Sequence, residues 1–152
     1  MKIITVTGKE NTGKTTLIWT IYNNLLENGA EITYFNLLGR DSKDFHAMVV
    51  WKGKIIAICS IGDISDNNDE QYIKDGIEMA KEHDAEILLN ALSDFIDKKN
   101  NHSITIYEKL LVSLFPFSPI FHKFQLNYQS SIEKILKQKQ ENATLIIREL
   151  LK

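Results

Sequence analysis

The sequence predicts an α/β layered fold with a mainly parallel sheet and one antiparallel hairpin. Short β-rich runs alternate with helix-length segments along the chain, the pattern of strands joined by crossover helices. The run Ile55-Ile56-Ala57-Ile58-Cys59 is apolar without alternation, as a strand covered on both faces must be, and Glu86 to Leu92 reads as a second buried strand. Ala47 to Trp51 and Lys54 to Ser60 flank the pair Lys52-Gly53, a spacing that closes a hairpin.

Ile3 to Thr7, rich in β-branched residues, opens the sheet and leads into a loop from Gly8 to Gly13. Thr15 to Asn28 is a helix, because Leu17, Ile18, Ile21, Leu25 and Leu26 fall on one face and Gly29 stops it. Glu31 to Leu38 is the next strand, followed by a polar loop from Gly39 to Asp44. The hairpin ends in Ser60-Ile61-Gly62-Asp63. Asp66 to His83 is a helix with Asp66 or Asp69 as N-cap and Tyr72, Ile73, Ile77 and Ala80 turned inward. Ser93 to Ser103 is polar, Ile104 to Leu114 helical, and Pro119 to Phe124 a weaker strand. Ser130 to Leu151 is a long amphipathic helix, opened by a capping box of Ser130 and Glu133. Its apolar face is Ile132, Ile135, Leu136, Ala143, Ile146, Ile147 and Leu150.

At 152 residues, with no repeat and no linker, the chain has the size of one domain. Hydrophobic residues at 43% exclude a disordered chain, and a net charge of −2 gives no pull toward nucleic acid or an anionic membrane. Lys134, Lys137 and Lys139 make a solvated helix face without the interleaved aromatics of a nucleic-acid surface. Leu110 to Phe121, the most apolar stretch, is too short to span a bilayer; it reads as core under a tight turn or as a patch for a protein partner. The single cysteine, Cys59, and the absence of a leader pattern fit a cytoplasmic protein.

One motif carries chemistry. Gly8-Lys9-Glu10-Asn11-Thr12-Gly13-Lys14-Thr15 fits G-x-x-x-x-G-K-[ST] and lies between a strand and a helix, where that pattern works. Glycines allow the backbone to turn sharply and approach phosphate oxygens. The loop amides then converge on an anion, and the helix start aims its positive end at the same place. Here the chain resembles the P-loop NTPase superfamily. The resemblance implies a three-layer P-loop fold, a nucleoside triphosphate bound by residues 8–16, and Mg²⁺ beside it. Lys14 would serve the β- and γ-phosphates, the Thr15 hydroxyl the metal, and Thr16 an α-phosphate. A metal-side carboxylate is expected near the end of a buried strand. Asp63 is the candidate, with Ser60 as the alternative, so Lys14 and Asp63 stand as the catalytic pair and Thr15 and Asp63 as the metal ligands.

The closer family stays open. The hairpin resembles that of small GTPases, yet Ser60-Ile61-Gly62-Asp63 is not D-x-x-G, and Asn90-Ala91-Leu92-Ser93-Asp94 is not N-K-x-D, which favours ATP over a guanine nucleotide. Asn90 and Ser93 are placed near the base. Lys9 is similar to the first lysine of deviant-P-loop partitioning ATPases, which would imply a homodimer, although Glu10 and Asn11 stand where that family has glycines. Cofactor-assembly accessory NTPases are also similar around Gly13 to Ile18, but no His or Cys cluster follows. Arg40 and Arg148 are the only arginines, too few for a nucleotide-kinase lid. Arg40 to Asp44 is the candidate acceptor-side or switch loop, and Glu10, Asp41, Asp44 and Asp63 are equal candidates for a general base. Two functions follow: a Mg²⁺-dependent ATPase or small-molecule kinase, or a nucleotide-controlled interaction module with little turnover.

Overall fold

The computed structural model describes residues 1–9, 12–39, 43–61, 67–93, 103–114, 120–126 and 131–152. In chain order the elements are β1 (Lys2–Gly8), α1 (Lys14–Glu27), β2 (Glu31–Leu37), β3 (Phe45–Trp51), β4 (Lys54–Cys59), α2 (Asn67–Glu82), β5 (Ile87–Ser93), α3 (Ser103–Leu114), β6 (Ile120–Gln125) and α4 (Ile132–Leu151). The strands form one six-stranded sheet in the order β2-β3-β4-β5-β1-β6. Strands β4, β5, β1 and β6 are mutually parallel; β3 runs against both of its neighbours, β2 and β4. The expected α/β layering is therefore observed.

The hairpin between β3 and β4 turns on Lys52 and Gly53, with φ of 49° and 77°. Two consecutive positive values are what a turn matched to strand twist requires. Strand alternation then sorts side chains into two cores. Ile4 and Val6 of β1 face α1 and α4, where they meet Leu17, Ile18, Ile21, Leu25, Ala143, Ile146 and Leu150. Ile3 shares the other face with Leu88 and Leu92 of β5, Ile73 and Ile77 of α2, and Tyr107 and Leu111 of α3. Helices thus cover both faces of the sheet, which is why β4 and β5 are apolar apart from Lys54, Asn90 and Ser93.

Several expectations change. The N-cap of α4 is Ser131, whose hydroxyl accepts from the Lys134 amide; Ser130 lies outside the described residues. Asp69 sits inside α2 and so does not cap it, and Asp66 is not described. Ile132, Ile135 and Leu136, expected in the core, are 77%, 46% and 53% exposed. Only the second half of α4 packs on the sheet and α1. Of the apolar stretch from Leu110, Leu111 is core, and 115–119 are not described. Among the described residues no helix is long and apolar enough to cross a membrane.

Two contacts fix helices in place. Lys2 Nζ, at the start of β1, donates to the Glu149 carbonyl at 2.6 Å and lies 3.0 Å from Glu149 Oε1, while Lys152 Nζ lies 3.0 Å from Oε2. Those ammonium groups hold the Glu149 carboxyl down at about 2, from 4.5. On the opposite layer, α2 approaches β4 so closely at Gly76 that a Cβ there would stand 2.5 Å from Cys59 Sγ and 3.0 Å from His46 Nε2.

Folded Glu149 takes its proton less readily than the unfolded chain does. Its contribution is complete above about pH 4.5 and is lost as pH falls toward about 2. Glu149→Gln should lower the urea midpoint at pH 7 and have no effect near pH 2; unchanged midpoints at pH 7 would refute the anchor. Gly76→Ala gains about 1 kcal/mol of helix propensity but overpacks a rigid strand, so a net loss of about 1–2 kcal/mol is expected by chemical denaturation. Adding Cys59→Ala removes the closest clashing atom and should recover stability relative to Gly76→Ala alone.

Candidate functional site

Ligands of parallel α/β sheets bind beyond the carboxyl ends of the strands, where connections leave on opposite faces. Here β1 leads to α1 on one face, and its neighbour β5 leads to α3 on the other. The loop after β1 opens at that point. Gly8 ends the strand level with Ser93 of β5. A Cβ on Gly8 would stand 2.6 Å from Thr12 Oγ1 and 3.0 Å from the Leu126 carbonyl, so only glycine lets the loop curl back. Thr12 Oγ1 closes that curl by donating to the Lys9 carbonyl at 2.8 Å. Gly13, at φ +88°, makes the left-handed step into α1 and has no side chain to cap its amides.

Lys14 is the first residue of α1 and is 5% exposed. An ammonium group this buried needs partners. Its Nζ donates to the same Lys9 carbonyl at 2.8 Å, so the side chain folds over the loop rather than out to solvent. One residue on, Thr15 Oγ1 donates to Asp44 Oδ1 at 3.1 Å. Ser60 Oγ donates to the same oxygen at 2.9 Å and accepts from the Phe45 amide at 2.8 Å. Trp19 Nε1 donates to the Lys43 carbonyl at 2.6 Å, a second tie between α1 and the start of β3.

Gly8, Lys9, Thr12, Gly13, Lys14 and Thr15 all lie in the described parts of the connection from β1 to α1, with Thr16 exposed on the first turn of α1. Glu10, Asn11 and Asp63 lie outside the described residues, as do Arg40 and Asp41. The carboxylate that meets Thr15 is Asp44, and Ser60 joins it. The sequence offers Asp44 as one of four candidate bases and as the end of the candidate switch loop, not as a partner of Thr15. The available signal was the hairpin itself: because β3 runs backward, its first residues return to the carboxyl end of the parallel strands. Strand β5 stands between β1 and β4, so the end of β4 lies two strand spacings, about 10 Å, from the end of β1. Asn90 is not near the loop mouth. It is buried in the middle of β5 and accepts from Thr5 Oγ1 at 2.8 Å. The Tyr107 hydroxyl faces this pair, and burial pushes its pKa upward. Ser93, at the end of β5, does adjoin Gly8.

Among the described residues no group of three or more His, Cys, Asp and Glu gathers to hold a metal. Mg²⁺ in phosphate sites needs no such cage; one or two protein oxygens suffice beside the phosphates. A separate cavity of about 290 Å³ opens on the α2 side, between β2 and α2, lined by Tyr34, Asn36, His46, Tyr72 and Asp75 among others. Burial lowers the pKa of His46 there, against the raising influence of Asp75, a Tyr72 backbone hydrogen bond and Asp44. It lies across the sheet from α1 and is not part of the loop site.

No family model matches the chain, and no curated protein matches it. Among solved structures, a futalosine hydrolase mutant of Helicobacter pylori strain 26695 is similar over 90% of this chain and 73% of that one, at 9% identity and a TM-score of 0.30. A likeness of that size carries no argument about this chain.

If Asp44 is the shared acceptor of Thr15 and Ser60, Asp44→Ala leaves the buried Ser60 hydroxyl, the half-buried Thr15 hydroxyl and the head of β3 without it. A loss of about 1–3 kcal/mol is expected from urea unfolding. Asp44→Asn, which keeps one acceptor oxygen, should lose less.

Proposed function

We propose that this protein binds a nucleoside triphosphate, ATP in preference, with Mg²⁺, through a P-loop formed by residues 8–16, and that it hydrolyses the nucleotide or transfers its terminal phosphoryl group. The observation that carries the reading is the Lys14 side chain, buried and folded over a loop that ends in a left-handed glycine and an uncapped helix. That arrangement presents a positive charge and open amides to one anion-sized place.

The chain's own residues divide the work. The amides from Gly13 to Thr16 bind phosphate oxygens at the positive end of α1. Lys14 exchanges the Lys9 carbonyl for a phosphate oxygen, a stronger, charge-assisted partner. Thr15 donates its hydroxyl hydrogen bond to Asp44, which leaves the oxygen lone pairs of Thr15 facing away, available to a cation. Thr15 and Asp44 are therefore the residues that would hold Mg²⁺, with Ser60 positioning the carboxylate. Bound there, the metal supplies neutralisation of the charge that develops on the phosphate oxygens during transfer.

The Thr15–Asp44 bond also favours the second reading, a nucleotide-controlled interaction module. The Asp44 carbonyl accepts the Leu38 amide at the close of the segment that contains Arg40 and Asp41, so a ligand that draws on the Asp44 carboxylate acts on that segment when it also moves the start of β3.

Calorimetric titration with ATP and Mg²⁺ tests the site. Lys14→Ala should weaken binding at least about tenfold, a loss of roughly 1.4 kcal/mol. Equal affinity in parent and variant would end the assignment. Asp44→Asn should blunt the Mg²⁺ dependence more than Asp63→Asn; the reverse order would move the metal-side role to Asp63. Multiple turnovers per protein indicate the enzyme, whereas stoichiometric binding with altered proteolysis at residues 39–44 indicates the module.

A further inference from the structure

Strand β2 forms one edge of the sheet, and all seven of its residues are exposed. It carries Ile32, Tyr34, Phe35 and Leu37 at 51%, 44%, 39% and 54% exposure. Edge strands ordinarily blunt themselves with lysine, proline or brevity. Within Glu31–Leu37 there is no Lys and no Pro, only Glu31 at the start and a register shift between Ile32 and Tyr34. We propose that this edge pairs with the β2 edge of a second copy of this chain, antiparallel across a two-fold axis at Phe35, to form one continuous sheet. The proposal stands apart from the nucleotide reading.

The hydrogen-bond phase selects the register. The Leu38 amide donates to the Asp44 carbonyl at 2.9 Å, and Asn36 pairs with His46 two rungs on. Hydrogen-bonded pairs alternate in an antiparallel ladder. Leu38, Asn36 and Tyr34 therefore spend their backbone groups on β3, while Phe35 and Leu37 turn theirs outward. A two-fold axis at Phe35 sets Phe35 against its own copy in a doubly bonded pair and Leu37 against Thr33 of the second copy, and the bulge at Ile32/Tyr34 ends the pairing beyond Thr33. Glu31 lies beyond the bulge and outside that pairing, so no two carboxylates oppose each other.

Self-pairing also completes a ring cluster. Phe35 is packed at 5.4 Å on Phe45, 5.7 Å on Tyr22 and 6.0 Å on Trp19 by ring centroid, with its outer side open. The two-fold axis is normal to the sheet, so both Phe35 rings lie on the same face and meet. At about 200 Å² for a large side chain, the four exposed residues offer about 400 Å² of surface. That is half of the roughly 800 Å² per partner of a standard interface, and strand backbone and flanking residues lie beside it.

Sedimentation of the wild type and hydrogen exchange on the same samples test this. A mass twice 17.5 kDa is expected at about 100 µM, shifting toward monomer near 1 µM. The amides of Phe35 and Leu37 should gain at least about tenfold protection over that range, while those of Tyr34 and Asn36, bonded to β3, stay protected throughout. Leu37→Lys and Leu37→Pro should each give a monomer with unchanged circular dichroism, because the Leu37 amide serves no bond to β3. A monomer at 100 µM overturns the proposal, as does a dimer that keeps its mass in both variants or shows no change at the Phe35 and Leu37 amides.

Discussion

The structure turns on the burial of one charge. Lys14 stands where β1 gives way to α1, and its ammonium group is almost wholly removed from water. Leaving such a group unpaired costs several kcal/mol. The loop meets that demand by curling until the Lys9 carbonyl reaches Nζ, with Thr12 on the same oxygen. The curl demands glycine at position 8, where the Leu126 carbonyl crowds the backbone, and a left-handed glycine at position 13. It also demands that α1 be seated firmly, which Leu17, Ile18, Ile21 and Leu25 provide by packing on the sheet. A carbonyl is a weak partner for an ammonium ion.

Much of this was legible along the chain, because the relevant patterns are local. The 3.6-residue spacing of Leu17 to Leu25, the unbroken apolar run of β4, and Lys52-Gly53 each report on a few neighbouring residues. The glycines and Lys14 could be placed on a strand-to-helix turn for the same reason. Lateral order was not legible. Nothing between Gly8 and Ser60 says that β5, which comes later, will insert between β1 and β4. An acid at the end of β4 therefore looked nearer to Thr15 along the chain than the sheet order makes that strand. Asp44 is brought in by direction instead, since it heads the one strand that runs the other way.

The error over α4 has a different origin. Its apolar positions recur correctly from Ile132 to Leu150, yet only Ala143, Ile146 and Leu150 are buried. A 20-residue helix is about 30 Å long. A seven-residue strand spans about 23 Å. A helix anchored at its end by Lys2 and Glu149 therefore outruns the sheet by about 7 Å, a little over one turn, and the apolar stripe continues where no described strand lies beneath it. Periodicity reports which face of a helix is apolar; how far the supporting layer extends is set by strand lengths elsewhere in the chain.

Asp44 ties the two halves of the molecule together through separate atoms. Its carboxylate receives Thr15 from α1 and Ser60 from the end of β4, while its carbonyl accepts the Leu38 amide in the rung at the end of β2. The rung beyond it, Leu37 with Phe45, begins the ladder that positions Phe35 among the aromatic rings. A residue that is neither in the loop between β1 and α1 nor in the edge strand thus sets the geometry of both. The connection is short: from Thr15 Oγ1 to the Leu38 amide there are two hydrogen bonds and one residue. Rotation of the Asp44 carboxylate would leave the Leu38 rung in place, whereas any movement of its backbone would break it. The loop site and the sheet edge are therefore independent for small side-chain adjustments at Asp44, and coupled only when the start of β3 itself moves.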